Sequence, residues 1–599
     1  MGESFRTRSA SAGTSTAEIQ APIDQDIARA LSTQLADHHR LAFARSFAHA
    51  VIRCAWRSDD LQPAASPDGV EMMPLSVDAA AAAERLGAAI GKMPAEQAAY
   101  VVGTVYTTAL PEPYRATLGI FYTPPELVER LLVMSEEAGV KWSACRALDP
   151  ACGGGAFLLP VARRMITALK GTDPVFILQQ LGARLHGFDI DPFGAWLAQA
   201  MLELALQDLA RAAGRAVPKI VETRDSLDLK TGDHGAYDLV VGNPPYGRVS
   251  PAIERRTVFR RSIYGHANLY GLFTDAGLRW ANEGGVIGYV TPTSMLSGLY
   301  YKALRELLAA EARPHAVNFV SERDGVFADV LQETMLATYR RCRKSRTGKV
   351  GFIGIGAAGA VSFRPAGTFA LPVQPAAPWL LPRTPDQTAL STRLRAMPYR
   401  LGDYGYGVST GPLVWNRFKG QFRAQPSAGN FPVIWAESVT RDGRFLWRSE
   451  KRNHAPWFAA RRPKDDWLIV TQPCVLLQRT TAKEQPRRLI AAELPASFIK
   501  KHGGVTVENH LNMVRPVVAK PSVPPAVIAT LLNSAAVDAA FRCINGSVAV
   551  SAFELEEMPL PAPAVIRKVA KLVGAGAKMA AIEAVLAAAY ERADAAAAA

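Results

Sequence analysis

The chain contains no Cys-x-x-Cys pair. Its six cysteines, Cys54, Cys145, Cys152, Cys342, Cys474 and Cys543, lie scattered, which argues against a disulfide framework and a structural zinc site and points to a reducing cytoplasm. No uncharged apolar run approaches the roughly 18–20 residues of a membrane span, and the first residues lack the basic start and apolar core of a signal peptide. The expectation is a cytoplasmic protein with no membrane partner. Repeats at 20–50 residue spacing are absent. Hydrophobic residues at 49% and charged residues at 20% exclude a wholly disordered or collagen-like chain. At about 150 residues per domain, 599 residues exclude a single compact domain. Lys plus Arg number 68 against 54 Asp plus Glu, a net +14, which favours a polyanionic partner, either nucleic acid or an acidic membrane surface.

Texture divides the chain. Residues 1–20 crowd Ser9, Ser11, Gly13, Thr14, Ser15 and Thr16 and read as a disordered tail. Apolar positions three and four apart from Ile23 to Trp56 begin a helical region over 21–110. From 111 to 345 short apolar runs alternate with helical periods, the pattern of a mostly parallel α/β sheet. Six prolines between Arg364 and Pro385 read as a linker or an ordered strap, and a Pro-rich linker is placed at 346–400. Residues 401–520 hold 19 Lys/Arg against 9 Asp/Glu and five of the ten tryptophans, so a 401–562 unit carries most of the excess charge. An Ala-rich C-terminal helix occupies 563–599.

The informative segment is Asp238–Gly247, DLVVGNPPYG. Neither Pro244 nor Pro245 can donate to a ladder, so the strand stops and leaves Asn243, Pro244, Pro245 and Tyr246 at the carboxyl edge of the sheet, where open α/β folds bind ligands. About ninety residues earlier ALDPACGGGAF ends another strand in Asp149 and three glycines before a helical run. Such glycines permit close backbone approach to a ligand. The segment does not match G-x-G-x-x-G, and no G-x-x-x-x-G-K-[ST] occurs, so dinucleotide and nucleoside triphosphate readings lose support. LHGFDIDP then offers Asp189 at a strand end, suited to ribose hydroxyls, and IVETRDSL leaves Asp225, suited to an adenine amino group. Each carboxylate taken singly reads as a solvated strand end or helix cap. Their serial order is harder to dismiss.

In this order the motifs resemble the N6-adenine DNA methyltransferases of the gamma, or TaqI-like, class, which include type II restriction–modification methylases. The resemblance covers Gly119–Arg340. FYTPPELVERLL is similar to the family's N-terminal cofactor segment, DPACGGGAF to its glycine loop and NPPY to its catalytic motif; HANLYGLF, GGVIGYVTPTSML and DGVFADVLQETMLA follow as its later motifs. It implies a Rossmann-like S-adenosylmethionine-dependent core of α/β class, a helical N-terminal region and a mixed α+β target-recognition domain. Thr123 and Pro124 would enclose the methionine part of S-adenosylmethionine, with Asp149, Ala151 and Gly153 beneath it. Asp189 would hold the ribose, Asp225 the adenine amino group, and Phe273 would pack beside the adenine. No metal is implied.

The implied reaction needs acceptors more than a base. An exocyclic adenine amine is a poor nucleophile because its lone pair is delocalised, and acceptors at its protons relocalise that pair. The Asn243 side-chain oxygen and the Pro244 carbonyl are the expected acceptors, aligning nitrogen and methyl for in-line transfer. The base must be flipped from the duplex, with Tyr246 as stacking face and Phe327 as a second aromatic. Double-stranded DNA is the expected partner. A core of this kind acting on RNA or protein glutamine, and an inactive DNA-binding subunit, are the alternatives. No Glu-x-Lys element occurs, so the expectation is modification without cleavage, any restriction endonuclease being a separate protein.

Overall fold

The computed structural model describes residues 26–56, 67, 69–118, 122–320, 333–342, 347–355, 361–481, 485–545 and 549–591. The expected tail at 1–20, Phe327 and the last residues of the Ala-rich helix lie outside them.

A nine-stranded sheet organises the first two thirds. Its strands are β1 (Ala147–Asp149), β2 (Leu185–Asp189), β3 (Val221–Thr223), β4 (Tyr237–Gly242), β5 (Ala281–Pro292), β6 (Ala312–Val320), β7 (Thr334–Arg341), β8 (Thr347–Ile355) and β9 (Val361–Ala370). They run in the order β9-β8-β6-β7-β5-β4-β1-β2-β3. β3, β2, β1, β4 and β5 are mutually parallel, and β7 lies antiparallel between β5 and β6. Parallel strands covered on both faces should be apolar without alternation. β1 and the end of β4 are so: Ala147, Leu148, Leu239, Val240 and Val241 are buried.

The N-terminal helices α1 (Asp37–Ala55), α2 (Val77–Ile90) and α3 (Ala95–Ala109) are not a separate unit. Phe47, Val51, Leu86 and Val102 share one apolar core with Leu131, Leu158 and Trp196 of the sheet-flanking helices. Phe47 is fully buried, so Phe47→Ala should destabilise this joint body by about 3–5 kcal/mol, read from denaturant unfolding. A loss below about 1 kcal/mol would contradict a shared core.

The expected linker at 346–400 requires correction. β8 and β9 extend the sheet through it, β8 beside β6 and β9 antiparallel to β8. Proline does not forbid this because β9 is the edge strand, and Pro365 stands opposite Gly351 where the register shifts. Trp379, beyond it, is fully buried against Phe369 and Tyr339. The sequence pattern suggested a connection because Pro365 interrupts β9 and five further prolines follow it.

The C-terminal part holds a four-stranded sheet, Tyr406–Thr410, Leu511–Pro516, Cys474–Gln478 and Ala491–Leu494 in spatial order, and a five-stranded sheet that includes Asn430–Ile434 and Trp457–Ala459. Helices Pro563–Gly574 and Met579–Glu591 complete its core: Ile566, Val569, Ile582, Leu586 and Tyr590 pack with Tyr404, Val475 and Phe541. The single C-terminal helix expected over 563–599 is therefore two helices within the described residues 563–591, and they share a core with 401–562. Among the described residues no helix is long and apolar enough to cross a membrane.

Candidate active site

Parallel strands bring their carboxyl ends to one edge. Strand order reverses at β1, which has β2 on one side and β4 on the other, so a crevice opens between the ends of β1 and β4. Asp149 ends β1, Asp189 ends β2, Asp225 follows β3 by two residues, and Asn243 follows β4. Positions up to 94 residues apart in the chain thus meet.

There they line one cavity of about 250 Å³. Thr123, Asp149, Ala151, Gly153, Asp189, Asp225, Asn243, Pro245 and Phe273 all contribute to its wall. Pro124 caps the helix Pro125–Glu137 beside Thr123, Pro244 is buried behind Asn243, and Tyr246 reaches Asn243 rather than the wall. Gly153 and Gly155 adopt φ +50° and +86°, open to glycine at little cost. Gly154 serves a different purpose: a Cβ there would lie 2.5 Å from the Tyr122 ring. The glycine run makes room for an aromatic side chain as well as for a ligand.

Electrostatics mark the cavity as a place for positive charge. Asp189 accepts from the N–H of Gly153 at 2.8 Å and of Asp191 at 2.9 Å, tying the β1 and β2 loops together. Burial lifts its carboxyl to about 6 against those hydrogen bonds. Burial lifts Asp149 further, to about 8, against its hydrogen bond from the Ala151 N–H and with Asp189 adding to the rise. Neither forms an ion pair among the described residues. One buried and one half-buried acid, neither ion-paired among the described residues and both beside the apolar faces of Phe273 and Leu227, fit a cofactor that brings its own cations. S-adenosylmethionine carries a sulfonium and an ammonium group, and the residues present suit it.

The structure also shows what sequence reasoning missed. Arg255 donates to Asp225 at 2.7 Å and to Asp228 at 2.6 Å, while Asp225 accepts from the Leu227 N–H at 2.9 Å. Both Asp225 oxygens are therefore already engaged, and Arg255 lines the same cavity. Nothing local in the sequence links Arg255 to Asp225. Tyr122 was legible only as part of FYTPP. Asp191 is an Asp-Pro helix start: it accepts from the Phe193 N–H at 3.2 Å and from the Tyr106 hydroxyl at 2.9 Å, with Arg45 at 3.7 Å. Through Tyr106 and Arg45 the N-terminal helices thus reach the loop after Asp189.

At the NPPY segment the Tyr246 hydroxyl donates to Asn243 Oδ1 at 2.7 Å, with the Val290 carbonyl at 3.3 Å. Its ring meets Tyr270 edge-on at 6.1 Å. The oxygen expected to receive the target amine is here capped by the tyrosine expected to stack on the base.

Seven strands in the order 3-2-1-4-5-7-6, with the seventh antiparallel, and a cofactor crevice at the ends of β1 and β4 define a Rossmann-like class I methyltransferase core of α/β class. S-adenosylmethionine is the methyl donor of such a core. Residues 185–327 match the Eco57I restriction-modification methylase family. The chain is similar to the type II methyltransferase M.BsuBI of Bacillus subtilis, 24% identical over 77% of this chain and 90% of that protein. It is also similar to M.PstI of Providencia stuartii, 23% identical over 57% and 68%. Among solved structures it resembles the type IIL restriction–modification enzyme MmeI in complex with DNA, with 12% identity, a TM-score of 0.50 and coverage of 93% of this chain and 86% of that one. A DrdV–DNA complex shares the fold at 10% identity and a TM-score of 0.51, over 92% and 71%. By sequence the chain is a relative of the type II restriction–modification methylases.

Proposed function

We propose that this protein methylates adenine N6 at a specific site in double-stranded DNA, as a gamma-class modification enzyme. One observation carries the reading: Asn243 stands at the end of β4, on the wall of the cavity that also holds Asp149, Asp189 and Asp225. An amide oxygen there is placed to accept from an exocyclic amine beside a methyl donor. S-adenosylmethionine supplies the methyl group as a good electrophile.

Everything else falls to the chain's own groups. Asn243 Oδ1 and the Pro244 carbonyl accept hydrogen bonds from the two amine N–H groups and localise the nitrogen lone pair. For that the Tyr246 hydroxyl gives up Oδ1, and the Val290 carbonyl offers it a second acceptor. The freed ring is then the stacking face for a base flipped from the duplex. Phe327 remains the second aromatic candidate of this reading.

A large basic module suits an extended polyanion. In the 401–562 unit Arg417, Lys419, Arg423, Arg461, Arg462 and Lys464 remain exposed, as do Trp415 and Trp467. Such cations bind phosphates without reading sequence. This unit is the target-recognition domain of the reading. The protein modifies without cutting, in the cytoplasm, and a cognate nuclease would be a separate chain.

Labelled S-adenosylmethionine offered with unmethylated genomic DNA, RNA and protein in parallel tests this. The expected product is N6-methyladenine at one recurrent sequence. Label in RNA or protein alone would overturn the DNA reading, and no label anywhere would favour an inactive DNA-binding subunit.

A further inference from the structure

The cofactor crevice opens between β1 and β4, and on its other side β4 has β5. With the methyl donor in the crevice, the free approach to Asn243 is from the β5 side. Two segments come to the surface there. Arg248–Val249 pairs antiparallel with Ala267–Asn268 just after Tyr246, and the turn after β5 carries Tyr300, Tyr301 and Lys302. A line of rings ties both to the NPPY segment: Tyr246 meets Tyr270 edge-on at 6.1 Å, and Tyr270 stacks on Tyr301 at 5.1 Å.

The cations of this stretch are of two kinds. Arg255 is paired with Asp225 and Asp228, and Arg261 with Asp275 and Glu311. Arg248 and Lys302 have no carboxylate partner among the described residues, and rings hold them instead. The Lys302 ammonium sits 3.7 Å from the centroid of Tyr264. The Arg248 guanidinium meets the His266 imidazole, 2.5 and 2.6 Å from its two nitrogens, and His266 packs on Tyr300 with centroids 5.0 Å apart. Gly265 lets the chain pass under that ring, since a Cβ there would lie 3.0 Å from Tyr300. A ring face orients a cation without neutralising it, so both charges stay available to an anion. Arg248, Tyr264, His266 and Tyr300 are exposed, and Lys302 is half-buried.

The ledge these residues form is firmly held. Fully buried Arg305 donates to the carbonyls of Met295 at 3.0 Å, Gly298 at 2.9 Å and Ala376 at 2.7 Å. In the same turn Ser297 donates to Glu554 of the C-terminal part at 2.6 Å. The ledge thus stands where the catalytic core joins the basic C-terminal unit.

A base that leaves the duplex for Asn243 leaves its flanking phosphates outside, at the mouth of the site. Cations fixed at that mouth hold the extruded strand, and contacts of this kind set orientation without reading sequence. We infer that Arg248 and Lys302 grip the phosphates of the target strand on either side of the flipped adenine, with the rings of Tyr264, His266 and Tyr300 keeping the two cations in place. This rests on the DNA reading above and deepens it by naming the groups that hold the strand being modified.

The test compares kcat/KM for the wild type, Arg248→Ala and Lys302→Ala on duplexes in which one phosphate at a time, in either strand, is replaced by an uncharged methylphosphonate. In the wild type, neutralising either phosphate next to the target adenine should cost roughly tenfold or more, the scale of a charge-assisted hydrogen bond. Arg248→Ala should become nearly indifferent at one of these two positions and Lys302→Ala at the other. Each variant should also lower the salt slope by about one and leave the ranking of base-exchanged sites unchanged. Variants that are weaker yet as sensitive as the wild type at both positions would overturn the grip. So would a wild type that responds only to phosphates of the complementary strand, or to none. Those outcomes leave DNA methylation standing, whereas a wild type that labels no DNA would overturn both.

Discussion

Replacing Asn243 by Ala should lower kcat by roughly a thousandfold, the scale of losing one preorganised hydrogen-bonding group at the reacting centre, while cofactor affinity changes little. The side chain stands at the end of β4, beyond the buried Leu239–Val241 run. Pro244 and Pro245 still terminate the strand in the variant, so the fold of the loop survives. The Tyr246 hydroxyl loses its 2.7 Å partner but keeps the Val290 carbonyl at 3.3 Å, a net cost of about 1 kcal/mol at most. Thermal unfolding and cofactor titration of the variant separate the effects. Retained kcat with weakened cofactor binding would show that Asn243 holds the donor rather than the amine, and would sink the proposed role.

The second large effect concerns Asp149, whose carboxyl burial lifts to about 8. In the free protein this acid is mostly protonated at neutral pH. A cationic cofactor favours the carboxylate, so binding near pH 7 should release a proton and affinity should rise up to about tenfold per pH unit towards pH 8. Above that pH the rise should stop. Asp149→Asn removes the charge at every pH, flattens the profile and should weaken binding by one to two orders of magnitude at pH 8 or above. Calorimetry in buffers of different ionisation enthalpy counts the proton directly. A profile equally steep in Asp149→Asn would rule this group out.

Stability follows with the opposite sense. Between about pH 4, where an unfolded Asp titrates, and pH 8, the native state binds a proton that the unfolded state has lost. The contribution of Asp149 to stability therefore falls as pH rises through that window. Asp149→Asn should accordingly gain on the wild type, in the absence of cofactor, as pH is raised. The substitution must keep the size of the side chain, because a Cβ at Gly242 would already lie 2.6 Å from Asp149 Oδ1.

The strand ends that line the cavity were legible because they are written locally. Continuous apolar runs ending in Asp, Gly or Pro mark parallel strands and their carboxyl ends, and those ends are where Asp149, Asp189, Asp225 and Asn243 stand. Two strands, β8 and the proline-bearing β9, were not legible. Pro365 forbids a central strand, and only assembly of the sheet shows that β9 is an edge, with an N–H-free position to spare. Nor could Tyr246 be foreseen capping Asn243, since ring orientation depends on Tyr270 and Val290, residues far along the chain.

The amino-acid sequence by itself thus determined the strand ends, the glycine loop, the proline stop after Asn243 and the basic character of the C-terminal region, all of which are properties of neighbours in the chain. Only tertiary structure decided that Arg255 closes on Asp225, that Tyr106 and Arg45 bring the N-terminal helices to the loop after Asp189, and that Glu437 pairs with His454 stacked on Trp435. Those outcomes are pairings of single side chains across long stretches of sequence. They leave no periodic trace, because a hydrogen bond between distant residues constrains two positions and nothing in between.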